Sequence, residues 1–314
     1  MNFNISEKTA EILKDNDLDF EILKMPTAIV KGSYQLDGDL NMTLGDDAKL
    51  VMSPYFNLVN GKSNEILHTV KGGYRVSQND EVVEKVVRGI EPFGDKLSVN
   101  KAGSLNGGRR VYIQLAIEGD AHINGDTIKR YVTIIDSNDG STGLSVGVGN
   151  MTMSCANQFF QFYKGGQRFK HTASIDEQIK KLPLMIELSL GDSMKQIELF
   201  KRFESSKCSR DLAHGLVREL LGVDRKMSQA ELGEASTRKI NSMHELYAQI
   251  ETEMNSKGAN LWGLFSGATR WTTHHKSCPS KENGRIDSLL NGTNYRTNQQ
   301  ALAYVDSLEG SLTL

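Results

Sequence analysis

The chain has 314 residues, 38% of them hydrophobic and 24% charged, with a formal net charge of −2. That is enough for one large or two ordinary domains with a sizeable core, and it excludes wholesale disorder and a polybasic, histone-like protein. A near-neutral total still leaves room for a local basic face that binds nucleic acid.

Residues 1–95 read as an acidic α+β region. Ten Asp/Glu face five Lys in residues 1–60, a balance of −5. A short helix is predicted over Ser6–Lys14, with Ser6 as its N-cap. Ala28–Val30, Lys49–Met52 and Phe56–Val59 read as short strands separated by turns. Val83, Val86, Val87 and Ile90 recur at helical spacing, so Val82–Ile90 reads as a helix. The first twenty residues are acidic and lack the basic-then-apolar layout of a signal peptide. No run approaches the roughly 18 apolar residues of a membrane span. The expected location is the cytoplasm, that of the host if the chain is phage-encoded, with no membrane partner.

Residues 96–190 read as the core. Nine Lys/Arg face five Asp/Glu over residues 96–171, a balance of +4. Arg110–Ile117 alternates strictly, with Val111, Ile113, Leu115 and Ile117 on one side. Ile128–Ile135 and Leu144–Met153 read as two more strands, joined by tight polar turns that exclude parallel crossovers. Ser154–Tyr163 reads as a helix with Phe159, Phe160, Phe162 and Tyr163 gathered at its end. Residues 191–314 read as mainly helical. A helix is predicted over Ile175–Leu190 with a kink or break at Pro183, then Met194–Phe203, Leu212–Leu221 and Ser228–Met254. The last of these opens on a Ser228/Glu231 capping box. Leu261–Thr273 carries both tryptophans, and a short helix near Asn298–Leu308 ends the chain. The fold class is therefore α+β: an antiparallel β-meander, strand–strand–strand–helix, with a mainly helical C-terminal part.

Candidate chemistry is sparse. No G-x-x-x-x-G-K-[ST] motif occurs, and Gly147-Val-Gly149 lacks the third glycine of a dinucleotide fingerprint. Cys155, Cys208 and Cys278 form no C-x-x-C pair, so reduced thiols are expected. Cys155 at the head of a helix is a nucleophile only if a base such as His171 or His122 stands beside it. His274, His275 and Cys278 are too few, and too divergent on a helix, for a metal site. Asp120, Asp126, Asp136 and Asp139 fall in hairpin turns, where Asp is favoured anyway, although two-metal nucleases also collect acids at strand ends. No catalytic residue, metal or cofactor is called for. The basic residues Arg109, Arg110, Lys129, Arg130, Lys164, Arg168 and Lys170, interleaved with Tyr112 and Tyr131, fit a different task. A cationic track with aromatic platforms neutralises phosphates and stacks bases, as a non-sequence-specific single-strand binder requires.

Five segments also match a known pattern, in order. They are Val70-Lys-Gly-Gly-Tyr-Arg-Val-Ser-Gln-Asn79, Ser137-Asn-Asp-Gly-Ser141, Met153-Ser-Cys-Ala-Asn157, Arg168-Phe-Lys-His-Thr172 and Leu261-Trp-Gly-Leu-Phe265. Together, from about residue 20 to 305, the chain resembles the phage/plasmid-like family called domain of unknown function nine-thirty-two. The matching positions are Asp139, Gly140, Cys155, Asn157, His171, Thr172 and Trp262. Asn138 stands where the family often has histidine, so any activity of that histidine should be lost here. The resemblance implies a bacteriophage or other mobile element and brings no established activity. The basic meander is also similar, more distantly, to the core of phage single-strand annealing proteins of the RecT, Red-beta and Erf kind. The expected function is a non-catalytic single-stranded DNA-binding and annealing protein acting in recombination or replication. Its partners would be single-stranded DNA, further copies of itself and phage or host replication or recombination proteins. The alternatives are an interaction factor without nucleic-acid activity and a metal-dependent nuclease using the turn acids.

Overall fold

A computed structural model of the protein describes residues 5–39, 41–153, 156–162, 168–172, 175–223, 237–280 and 283–312. The first helix, α1 (Ile5–Asp15), begins one residue before Ser6, which therefore lies within the helix and not at its cap. A long ribbon follows: β1 (Ile22–Lys31), the tip hairpin β2 (Tyr34–Leu36) and β3 (Met42–Leu44), then β4 (Lys49–Asn60). β5 (Ile66–Lys71) joins the base of β4 to complete a three-stranded sheet in the order β1-β4-β5. Helix α2 (Asn79–Ile90) buries Val82, Val83, Val86, Val87 and Ile90, the stripe its spacing predicts.

The main sheet holds β6 (Leu97–Leu105), β7 (Arg110–Ile117), β8 (Ala121–Ile123), β9 (Asp126–Ser137), β10 (Leu144–Thr152), β11 (Gln158–Phe162) and β12 (Arg168–Phe169). Its order is β11-β10-β9-β7-β6, with β8 beside β9 and β12 beside β10. Every ladder is antiparallel, so the predicted meander stands and is longer than expected. The correction lies after β10. Gln158–Phe162 is a strand, paired Gly147↔Phe162 through Met151↔Gln158, where a helix was expected. Phe159 and Phe160 explain why. Both are buried, but in different clusters on opposite sides of the sheet, an arrangement period two allows and one helix face does not. Gly149 makes the room, since a Cβ there would come within 2.9 Å of the Phe160 ring.

The helices follow as α3 (Ile175–Ile179), α4 (Leu182–Ser205), α5 (Arg210–Leu221), α6 (Thr237–Lys257), α7 (Leu261–Arg270), α8 (Gly284–Asn291) and α9 (Thr293–Leu312). The predicted interruption of Ile175–Leu190 is a break between α3 and α4, and Pro183 stands just after it in the first turn of α4, where its missing N–H is harmless. α4 runs on unbroken through Met194–Phe203, so the boundary drawn at residue 190 falls inside it. The Ser228/Glu231 capping box lies outside the described residues. α4 ties two cores together. Its first half (Leu182, Met185, Ile186) packs with α2 on the sheet face that carries Ile113, Leu115, Val132 and Ile134. Its second half (Ile197, Phe200, Phe203) packs with Leu216, Leu246, Ile250, Phe265 and Trp271. With α8 over part of the other face, β9 is buried continuously from Tyr131 to Ser137 and cannot show a polar side. No helix among the described residues is long and apolar enough to cross a membrane.

Candidate functional site

Two of the sequence motifs meet, at one end of the main sheet, the residue that precedes a third. β9 delivers Asp136, the turn before α2 delivers Tyr74 and Ser77, and the segment after β12 delivers His171. His171 Nε2 lies 2.7 Å from Asp136 Oδ1, and Ser77 Oγ donates to Asp136 Oδ2 at 2.6 Å. Ser77 Oγ is also 3.4 Å from His171 Nδ1. The Tyr74 ring stacks on the imidazole at 5.0 Å between centroids, and Asp136 Oδ1 also accepts from Ser137 N. Burial disfavours a charged imidazole here, but the Asp136 charge and hydrogen bond, with the backbone bond to Arg75, raise the His171 pKa above its ordinary value. Burial, then the charges of Asp136 and Asp139, push the Tyr74 phenol far up, so it stays protonated.

This Ser, His and Asp set is not arranged for acyl transfer. A nucleophilic serine gives its proton to histidine, which in turn leans on the carboxylate. Here the carboxylate sits between the other two and itself accepts the hydrogen bond of the serine hydroxyl. With the ring doubly protonated, the three groups close a loop of donors onto acceptors. All three are almost fully buried. Beside them Gln78 exchanges two hydrogen bonds with the backbone of Ile22, and Asn79 donates to the carbonyls of Leu18 and Phe20. The cluster clasps the N-terminal segment and α2 to the main sheet. The other motif residues also join elements. Asn157 Nδ2 donates to the Ser266 carbonyl, and Asn138 Nδ2 to that of Gly108. Trp262 Nε1 donates to Asp126. Gly140 takes a φ of 70° in the turn, and Thr172 N donates to the Lys170 carbonyl. Cys155 lies outside the described residues.

The face of the sheet turned away from α2 carries a cleft of about 550 Å³, within the size range of small-ligand sites. Its floor is Tyr112 and Gln114 of β7, Tyr131 and Thr133 of β9, and Phe160 of β11. Lys101, His274 and Arg285 stand around it with Asn100, Asn283 and Gln158. Among the described residues that line it there is no carboxylate, although the chain holds 39 Asp and Glu. Burial raises both tyrosine pKa values, with Asp120 adding to the effect at Tyr131, so each phenol remains a hydrogen-bond donor. The Thr133 hydroxyl, fully buried in the floor, has no hydrogen-bond partner among the described residues. Such a cleft suits a planar ring that carries hydrogen-bonding edges and an anionic group.

The predicted basic residues divide into two groups. Arg109, Arg110, Arg168 and Lys170 gather at the Ser137 end of the sheet, where Arg110 pairs with Ser137 and β12 lies beside the start of β10. Lys129 and Arg130 are at the other end of β9, eight and seven residues from Ser137, or roughly 25 Å along the strand. Arg110 is taken up by Asp139 and Asp287. Arg130 is drawn in by the carbonyls of Glu118 and Gly119 and by Met194, and its burial lowers its pKa. Arg109, Lys129 and Lys170 are exposed. Lys164 lies outside the described residues. The turn acids divide between the two ends of β9, Asp120 and Asp126 at one and Asp136 and Asp139 at the other. Among the described residues no three His, Cys, Asp or Glu side chains gather as a metal site would need.

A second buried charge cluster has no counterpart in the sequence reading. Lys257 Nζ lies 2.8 Å from Asp126 and 2.9 Å from Glu253, and Arg270 pairs with Glu253 at 3.0 Å. Only the i,i+4 pair Glu253–Lys257 was visible in the sequence. Lys101, Gln114, His274 and Arg285 were likewise not singled out for the cleft, because they come from elements far apart in the chain. No curated protein and no solved structure matches the chain. The model of one family does, over residues 66–307, more than three quarters of the length, starting later than the residue-20 limit of the motif resemblance. The chain therefore belongs to the family described as domain of unknown function DUF932.

Proposed function

We propose that this protein binds single-stranded DNA without chemistry on it and promotes annealing in recombination or replication of a bacteriophage or other mobile element. The observation that carries the reading is the cleft on the sheet: two tyrosines, Lys101, His274, several amides and Arg285, whose Nη1 also donates to the Thr272 and Lys276 carbonyls, around one cavity with no carboxylate among its described lining residues. Aromatic rings accept any base, and cations accept the backbone, so such a site is tolerant of sequence. The exposed Lys129 extends the cationic rim from Tyr131 along the same strand. The order of Ser77, Asp136 and His171 supports a non-catalytic role, because no activated nucleophile results from it.

The test is a fluorescence-polarisation titration of a labelled oligonucleotide at about 50 and about 200 mM salt, followed by its complement. If about three phosphates are engaged, affinity should fall by roughly tenfold to twentyfold between those salts. Lys101→Glu and Lys129→Glu, both on the surface, should weaken binding and flatten that dependence. An absence of binding at the lower salt, or variants that bind like the parent, would overturn the reading.

A further inference from the structure

The ribbon of β1 to β4 has no core of its own. β5 pairs with β4 only from Tyr55 to Val59, so beyond Tyr55 the ribbon is two strands wide. Lys49–Met52, Tyr34–Leu36 and Met42–Leu44 are exposed at every position. Yet eleven of the fifteen exposed large hydrophobic residues among the described ones lie between Met25 and Ile66. Leu50 and Met52 are 61% and 63% exposed, so the surface left open is large.

The tip is patterned for burial. Tyr34 pairs with Leu44 and Leu36 with Met42, and directly opposed residues share a face. The residues between them, Gln35 and Thr43, take the other face. One side of the tip is thus wholly apolar and the other polar, the alternation of an antiparallel sheet that packs one face on a core. Among the described residues nothing packs on it. An isolated two-stranded ribbon is marginal in water and is stabilised by further strands or a second layer.

We propose that this ribbon is a dimerisation arm whose apolar tip face packs on the same face of a second copy. The proposal does not depend on the DNA reading. Area favours a second copy. Ile29 and Val51 face one side of the β1–β4 ribbon and Leu50 and Met52 the other, so one copy brings the four tip residues and one of these pairs to the contact; six residues about half exposed amount to on the order of 500 Å² per copy, or roughly 1,000 Å² for the two, which reaches the lower bound of a specific interface. Charge is arranged along the arm as well. Lys31 and Lys49 stand directly opposite each other at the foot of the tip, a like-charge pair, with Asp46 and Asp47 in the adjoining turn, where Asp47 accepts from Ser33. Asp37 and Asp39 stand at the far turn, with Asp37 held ionised chiefly by the Asn41 side chain and its backbone. When two arms cross antiparallel about a two-fold axis through the tip, the apolar faces meet at the axis. The lysine pair of each copy then lies against the aspartate turn of the other. Such an isologous contact closes on itself and ends at a dimer.

Sedimentation equilibrium of the full chain tests this, with Leu36→Ser/Leu44→Ser and Lys31→Glu/Lys49→Glu as variants. All four residues are exposed, so both variants should keep the parent circular dichroism and melting of the body. The parent is expected at twice the 34.8 kDa chain mass. The serine variant should dissociate at least tenfold more readily, and the glutamate variant likewise; added salt should weaken the parent dimer, by screening lysine against aspartate, and strengthen that of the glutamate variant. A parent that sediments as a monomer at 50 µM, or variants that dimerise like the parent, would overturn the proposal. A monomeric parent that floats with anionic lipid vesicles through Leu36 and Leu44 would also overturn it, and would assign the face to a lipid surface.

Discussion

Replacing Asp136 with asparagine tests whether the buried clasp around His171 holds the N-terminal segment to the main sheet. Asp136 accepts hydrogen bonds from Ser77 Oγ and Ser137 N, faces His171 Nε2, and is 3% exposed. Asparagine keeps the shape but removes the counter-charge and turns one acceptor into a donor aimed at donors. Breaking a buried ion pair costs about 3–5 kcal/mol, and the lower end applies because the ring can shed its proton. For a chain of 314 residues a loss of about 3 kcal/mol lowers the melting temperature by roughly 4–5 °C. The pH dependence is the sharper readout. The His171 pKa is raised in the folded protein: burial opposes the charge, and Asp136 outweighs it. The folded state therefore holds this proton more tightly than the unfolded chain. The stabilisation is complete below the ordinary histidine value of 6.5 and fades as pH climbs through the raised folded value. Melting followed by intrinsic fluorescence from pH 5 to 9 should show that alkaline loss in the parent. In Asp136→Asn the protein should melt lower and lack the step. Equal melting temperatures and superimposable pH profiles would refute the reasoning.

Two further outcomes are expected. Lys257→Met leaves Asp126 and Glu253 buried without the ammonium they share, at side-chain exposures of 8% and 3%, and should cost about 3–5 kcal/mol, read from the urea midpoint. Gly149→Val should lose about 1–3 kcal/mol by overpacking; because its Cβ would crowd the Phe160 ring, it should also narrow the cleft and weaken oligonucleotide binding. Unchanged binding in a folded Gly149→Val protein would remove Phe160 from the cleft wall.

The main sheet was legible because its strands carry period-two patterns and turn chemistry: Val111, Ile113 and Leu115 face one core, and Asn124-Gly125 closes a hairpin. Gln158–Phe162 was not legible. Four aromatics in five residues imitate a helix face, and only the partner strand, with glycine at 147 and 149, shows that Phe159 and Phe160 leave in opposite directions. The same limit applies to the sites. The motifs around Tyr74, Asp136 and His171 were each visible, but 62 residues separate Tyr74 from Asp136, and nothing local says they meet. Arg110 and Arg130 carried the composition of a DNA track. The carboxylates of Asp139 and Asp287, and the carbonyls of Glu118 and Gly119, engage both, and no sequence window contains those partners together.

The positions that carry the family motifs and the positions that carry the proposed functions are largely different residues. Ser77, Asn157, His171 and Trp262, with Asp136 next to the Ser137–Ser141 segment, each bond one element to another, and substitutions there should be read first as stability changes. The cleft draws on Tyr112, Tyr131, Lys101 and Arg285, which lie within the family match but outside the quoted motifs. The arm lies almost wholly before residue 66, outside the match altogether. On the proposed reading this separation has a mechanical sense. Annealing requires two strands to be held near each other with their bases free, and one cleft of about 550 Å³ holds only a short stretch of one strand. A body that fixes the cleft, and an arm that fixes the distance between two bodies, would divide that task. The two can then be uncoupled: loss of the arm face should leave single-strand affinity intact and slow pairing, whereas loss of the cleft cations should lower affinity and leave the assembly unchanged.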